Sequence, residues 1–246
     1  MTQPDVFWDK LHKSLKTYLK PTKSKKFRRN ISFSLHGKYD QITPIGPKQK
    51  PIETFLSELL YDYGELSDSL KRFTIISALI RRYPKQPDWE KIGLSKTVHL
   101  RYHYEAFLNE LYLYSERMKM LLTNLKKKCK KKSLDEEAII IQTVLSDFLD
   151  ALQNAIYIRG RHVHVRRFKN NKIEQLSDLE IFSGMSPYYD QLKDEQYKRL
   201  RKDLSKEIEN FASDLAKLQN NTLEKIIPIT FSKLKKKYGE NIPTAR

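Results

Sequence analysis

Two side-chain types that can split a phosphodiester stand close together at one point of this chain. The stretch Tyr157-Ile158-Arg159-Gly160-Arg161-His162-Val163-His164-Val165-Arg166-Arg167 holds arginines at 159, 161, 166 and 167, histidines at 162 and 164, and no acid. A neutral imidazole can take a proton near working pH. A guanidinium can answer charge on phosphoryl oxygens through two parallel hydrogen bonds. Together they suffice, with no metal and no cofactor, to let a ribose 2′-hydroxyl attack its neighbouring phosphate. The products would be a cyclic phosphate and a free 5′-hydroxyl, and DNA would be spared. Arg159 and His164 are the leading pair. On a regular helix a spacing of five is about 140° of rotation, so the two diverge unless the helix loosens. Gly160 could loosen it, or a second chain could bring its own pair to the same cleft. His162, three places after Arg159, is a rival imidazole. Arg161 and Glu105 are secondary candidates; Glu105 could orient Arg159 or His164, and an ordinary salt bridge is its plainer use.

The elements that must hold this stretch are helical. Apolar residues recur at helical spacing over residues 5–19 and 52–82, and again over about 96–127, 134–158 and 187–218 or beyond. In the third of the four long segments, Ile141, Val144, Leu145, Phe148, Leu152 and Ile156 form the buried stripe. Arg159 continues it, seven positions after Leu152. A cation there is costly to bury alone, so it should reach a cleft or an interface. Ser95 is a candidate N-cap, Ser133-Leu134-Asp135-Glu136 has the form of a capping box, and Pro187 suits a first turn. Residues 165–186 read as a loop, with Asn170-Asn171 and Gly184 as turn signals, and Pro228 interrupts the C-terminal part. Four long stripes are buried most simply in an all-α, four-helix antiparallel bundle. Residues 1–50 form a basic N-terminal extension with a short helix and a possible strand at Ile31, Phe33 and Leu35. The bundle spans 51–222, and 223–246 form a basic tail.

Charge points to the partner. Lys plus Arg number 47 against 30 Asp plus Glu, a formal net charge of +17 in 246 residues. Such a surplus repels itself and favours a polyanion. An anionic membrane surface and a plain solubility surplus are the alternatives. The lysine run from Lys126 to Lys132, broken only by Cys129, exceeds what a helix C-terminus needs. Lys127 and Lys128 there, and Arg166, Arg167 and Lys169 after the histidines, suit phosphate contacts. Tyr188-Tyr189 could stack bases, or simply pack. A single cysteine precludes an internal disulfide and a cysteine-built zinc site. The first residues lack the order of a secretion signal and no apolar run suits a membrane span, so a cytoplasmic, non-membrane protein is expected.

The Arg159-(four residues)-His164 spacing near the end of a long helix resembles the signature of the HEPN superfamily (higher eukaryote and prokaryote nucleotide-binding domains). Leu100-Arg101-Tyr102-His103-Tyr104-Glu105-Ala106-Phe107-Leu108 also looks like the second-helix pattern of some bacterial members. The resemblance covers roughly residues 50–220. It implies a metal-independent endoribonuclease of the toxin–antitoxin or phage-defence kind. It also implies a homodimer with a composite active site, and an antitoxin or regulatory protein as a further partner. Arg159 would hold the scissile phosphate and His164 would act as acid and base. The chain has Gly160 where the family often has Asn, and Arg166 where some members have Tyr. Non-catalytic nucleic-acid binding and a pure partner-binding role stay open beside this reading.

Overall fold

The computed structural model of the chain describes residues 5–18, 50–82, 93–164 and 170–239, and for residues 154–164 the backbone alone. The candidate strand at 31–35 and the basic stretch before it lie outside these residues. The described chain is all-α. Helix α1 spans Val6–Tyr18, α2 Pro51–Arg81, α3 Lys96–Lys131, α4 Asp135–His164, α5 Asn171–Phe182 and α6 Pro187–Ile227. The last of these passes through π-helical turns at Pro228–Leu234 into a short α7, Lys235–Gly239.

Side-chain pairs fix how the long helices run. Asp62 meets Asn124 and Arg72 meets Glu110, so α2 and α3 are antiparallel. Lys126 donates to Gln142 at 2.7 Å, while the rings of Tyr114 and Phe148 lie 6.2 Å apart, so α3 and α4 are antiparallel too. Lys225 pairs with Asp147 at 3.2 Å and Lys233 pairs with Glu137, which sets α6 and its continuation antiparallel to α4. Ser77 meets Ser205 while Phe55 stacks on Tyr238, which does the same for α2 and α6. The apolar stripes read from the sequence turn inward. Phe73 sits at the centre, fully buried, with Phe107, Tyr114 and Phe211 around it. Helix α1 docks through Phe7 and Leu11, with Phe7 against Tyr63 and Phe231.

Four local expectations are corrected. Residues 171–182, read as part of a loop, are α5. The Asn170 carboxamide oxygen accepts from the amides of Lys172 and Ile173, so the asparagine pair starts a helix instead of turning the chain. Burial of Ile173 and Leu176 holds that helix down. Ser133 makes no capping box. It lies at φ 55°, with its amide bonded to the Lys130 carbonyl and the Leu134 amide to the Cys129 carbonyl. That pattern is a Schellman stop to α3. Pro228 does not end α6. Lacking an N–H, it is taken into a widened π stretch, and Ile229 and Leu234 remain buried beyond it. The helix, expected to reach about Leu218 or beyond, runs on to Ile227 and carries Leu223 and Ile226 into the core, and part of the expected tail is packed helix. Gly184, at φ 87°, does make the turn between α5 and α6.

Candidate functional site

Helix α4 begins at Asp135 and stays helical through His164. Gly160 therefore does not break it. Along an unbroken helix, positions 159 and 164 lie about 140° apart, whereas 159 and 162 lie about 60° apart. The backbone thus favours position 162 as the nearer neighbour of 159 within one chain. Positions 159 and 164 therefore do not share a face of this helix. The side chains of Arg159, Arg161, His162 and His164 lie outside the description, as do Arg166, Arg167 and Lys169 altogether.

Glu105, the candidate orienting acid, is half-buried on α3 and pairs with no cation among the described residues. Its neighbour Tyr104 donates to Glu207 of α6 at 3.4 Å, and burial together with that carboxylate pushes its hydroxyl up to about 12. One turn earlier, Arg101 pairs with Glu174 of α5 at 3.0 Å. This pair, with Glu180 accepting from the Thr97 amide and the Ser95 hydroxyl, pins α5 to the start of α3.

Two histidines, His99 and His103, lie near the start of α3. His99 is buried, its ring 4.7 Å from that of His103 and its Nδ1 3.3 Å from the Tyr197 hydroxyl. Burial, the neighbouring His103 and the Arg201 cation push it down to about 4. Burial lowers His103 as well. Both rings are therefore neutral near pH 7. His12 stacks on Trp8 on the surface of α1.

The lysine run ends α3, and here the structure adds what the sequence did not show. An open groove of about 700 Å³ lies between the start of α2 and the end of α3. Helix α3 contributes Asn124, Lys127, Lys128 and Lys131; α2 contributes Thr54, Ser57, Glu58, Tyr61 and Asp62. Tyr238 also lines it, stacked on Phe55 with the Lys132 ammonium 4.5 Å from its ring centre. Lys128 is answered by Glu58 and lies over the Phe55 ring. Lys127 and Lys131 are exposed and pair with no carboxylate among the described residues. Asn124 donates to Asp62 at 3.3 Å, and burial raises the Asp62 carboxyl above its usual range.

No family model, no curated protein and no solved structure matches this chain.

Of the residues singled out in sequence, the structure gathers Lys127 and Lys128 into one groove. Tyr188 is exposed, while Tyr189 is half-buried with its ring 5.5 Å from Phe182. Tyr61, Asp62, Asn124 and Tyr238 were not singled out. A signal for part of them was present: Thr54, Ser57, Glu58, Tyr61 and Asp62 recur at helical spacing opposite the apolar stripe of α2. Only the register of α2 on α3 shows that this polar face meets the lysines. Among the described residues no helix is long and apolar enough to cross a membrane.

Proposed function

We propose that this protein cuts RNA without a metal, through the Arg159–His164 stretch of α4, as a four-helix bundle of HEPN type that works as a homodimer. The observation that carries the reading is the unbroken course of α4. The helix runs from its buried stripe, whose last described member is Leu152, directly into the acid-free Arg and His residues. A long, packed helix is a rigid mount for groups that must meet a phosphate. The +17 net charge supplies the attraction for a polyanion. In the proposed reaction an imidazole takes the proton of a ribose 2′-hydroxyl, whose oxygen attacks the adjacent phosphorus. The P–O5′ bond breaks, and the leaving oxygen receives a proton from an imidazolium. Arg159 stabilises the charge on the non-bridging oxygens. Because 159 and 164 diverge on a regular helix, the second copy supplies the complementary pair. A toxin or phage-defence role, with an antitoxin or regulator as partner, belongs to the same proposal.

The test is incubation of the full chain with total RNA in EDTA, followed by analysis of the new ends. The expected result is fragments ending in 2′,3′-cyclic phosphate. Arg159→Ala and His164→Ala should each lower cutting by about a hundredfold or more, with RNA binding retained. Intact RNA after prolonged incubation rules the proposal out. The groove favours a second reading, a basic RNA-binding protein without catalysis. There His164→Ala changes nothing, and neutralising Lys127 and Lys131 weakens binding.

A further inference from the structure

We infer that the groove between α2 and α3 seats a short single-stranded segment of RNA, remote from the Arg159–His164 stretch. The inference rests on the reading that RNA is the partner, and it assigns a contact site that this reading alone does not locate. Three features of the groove fit the three parts of a ribonucleotide.

The basic wall fits phosphate. Lys127 and Lys131 are one helical turn apart on α3, about 6 Å along its axis, and both lean on the same groove. Among the described residues neither is neutralised by a carboxylate, whereas Lys128 is held by Glu58. Two ammonium groups in this arrangement can each take one phosphate of a strand passing along the groove.

The opposite wall fits a base and a ribose. Tyr61 is 56% exposed, so its ring can offer a face to a base, and such stacking tolerates any sequence. Asp62 accepts the Asn124 amide through one carboxylate oxygen, which leaves the other to accept a ribose 2′-hydroxyl. A carboxylate repels phosphate but welcomes a hydroxyl, and that hydroxyl is what separates RNA from DNA. An acid on this wall would be out of place in a groove that served only as a non-selective polyanion track.

The size fits as well. A volume of about 700 Å³ falls in the range of sites that hold small ligands, enough for about two nucleotides. The open form lets a longer strand enter and leave.

The experiment uses the full chain with a fluorescent ten-nucleotide uridine RNA and its deoxyuridine counterpart, both in EDTA. Binding is read by anisotropy in the His164→Ala background, so that the probe stays intact, and cutting is read on gels in the wild-type background. Lys127→Gln/Lys131→Gln is expected to weaken RNA binding at least tenfold and to make the salt slope shallower by about 1.4. Lys198→Gln/Lys202→Gln, exposed lysines on α6, should change affinity less than twofold. Tyr61→Ser should cost several-fold, and Asp62→Asn should narrow the preference for RNA over DNA. Circular dichroism melts confirm that each variant is folded. Equal losses from both lysine pairs, or none from the groove pair, overturn the site. DNA held as tightly as RNA by the parent overturns the ribose contact and the assignment of RNA to the groove. Cutting that persists with an unaffected groove variant overturns the groove and leaves the nuclease proposal standing. Binding that depends on the groove, without any cutting, does the reverse.

Discussion

At the scale of single residues, the buried charges give the sharpest expectations. Glu110 is 6% exposed and is answered by Arg117 at 2.9 Å and Arg72 at 3.3 Å. Arg117 also reaches Glu65 at 3.1 Å and the Ser69 hydroxyl, tying α2 to α3. Arg117→Met leaves Glu110 with one half-exposed partner, and the expected loss is about 3 kcal/mol in urea denaturation. Glu110→Gln/Arg117→Met removes both buried charges and should recover part of that loss. His99 gives a pH dependence. Its folded pKa of about 4 lies below the usual 6.5, so between these values the unfolded chain binds more protons than the folded one. The stabilisation is complete above about pH 6.5 and is lost as pH falls through 4, at most about 3 kcal/mol. His103 acts in the same direction. Urea denaturation at pH 7.5 and pH 4.5 checks this: His99→Leu should shrink the difference between the two, whatever it does to the absolute stability.

At the scale of elements, the turn between α3 and α4 makes its own prediction. Ser133 adopts a left-handed conformation that costs a residue with a Cβ about 1 kcal/mol. Ser133→Gly relieves that cost while the two Schellman hydrogen bonds stay in place, so thermal melting should show a gain of about that size. The same turn illustrates what the sequence could reveal. The long helices were legible because each carries an apolar stripe over many turns, and no other structure buries such a stripe as well. Ser133, Asn170 and Pro228 were misread because their local signals are ambiguous. Serine before acids reads as a start when it is a stop. Asparagine reads as a turn when it is a cap. Proline reads as an end, although a helix packed on both sides can widen around it. The candidate site divides along the same line. The types and spacing of Arg159, His162 and His164 were visible, but spacing alone does not state which of them share a pocket. The groove was hidden because its two walls come from residues about seventy positions apart, joined only by the packing of α2 on α3.

At the scale of the molecule, the two proposed RNA contacts stand beside opposite ends of α4. Helix α4 starts beside the end of α3, where the groove lies, and runs away from it. Between Asp135 and position 159 the axis advances about 36 Å at the rise of an α-helix. An RNA seated in the groove and cut at Arg159 in the same subunit must therefore span a comparable distance. At about 3.4 Å for each stacked nucleotide, that is on the order of ten nucleotides. The groove itself needs only about two. Binding and cutting should then depend differently on length. In a series of uridine oligomers, affinity should level off after a few nucleotides. The cutting rate should stay low and rise steeply only beyond about ten. Lys127→Gln/Lys131→Gln should remove this length dependence by weakening the long substrates towards the rate of the short ones. Parallel rises of affinity and rate, with no separate threshold, would place both contacts on one short stretch of RNA and show that the groove does not anchor what α4 cuts.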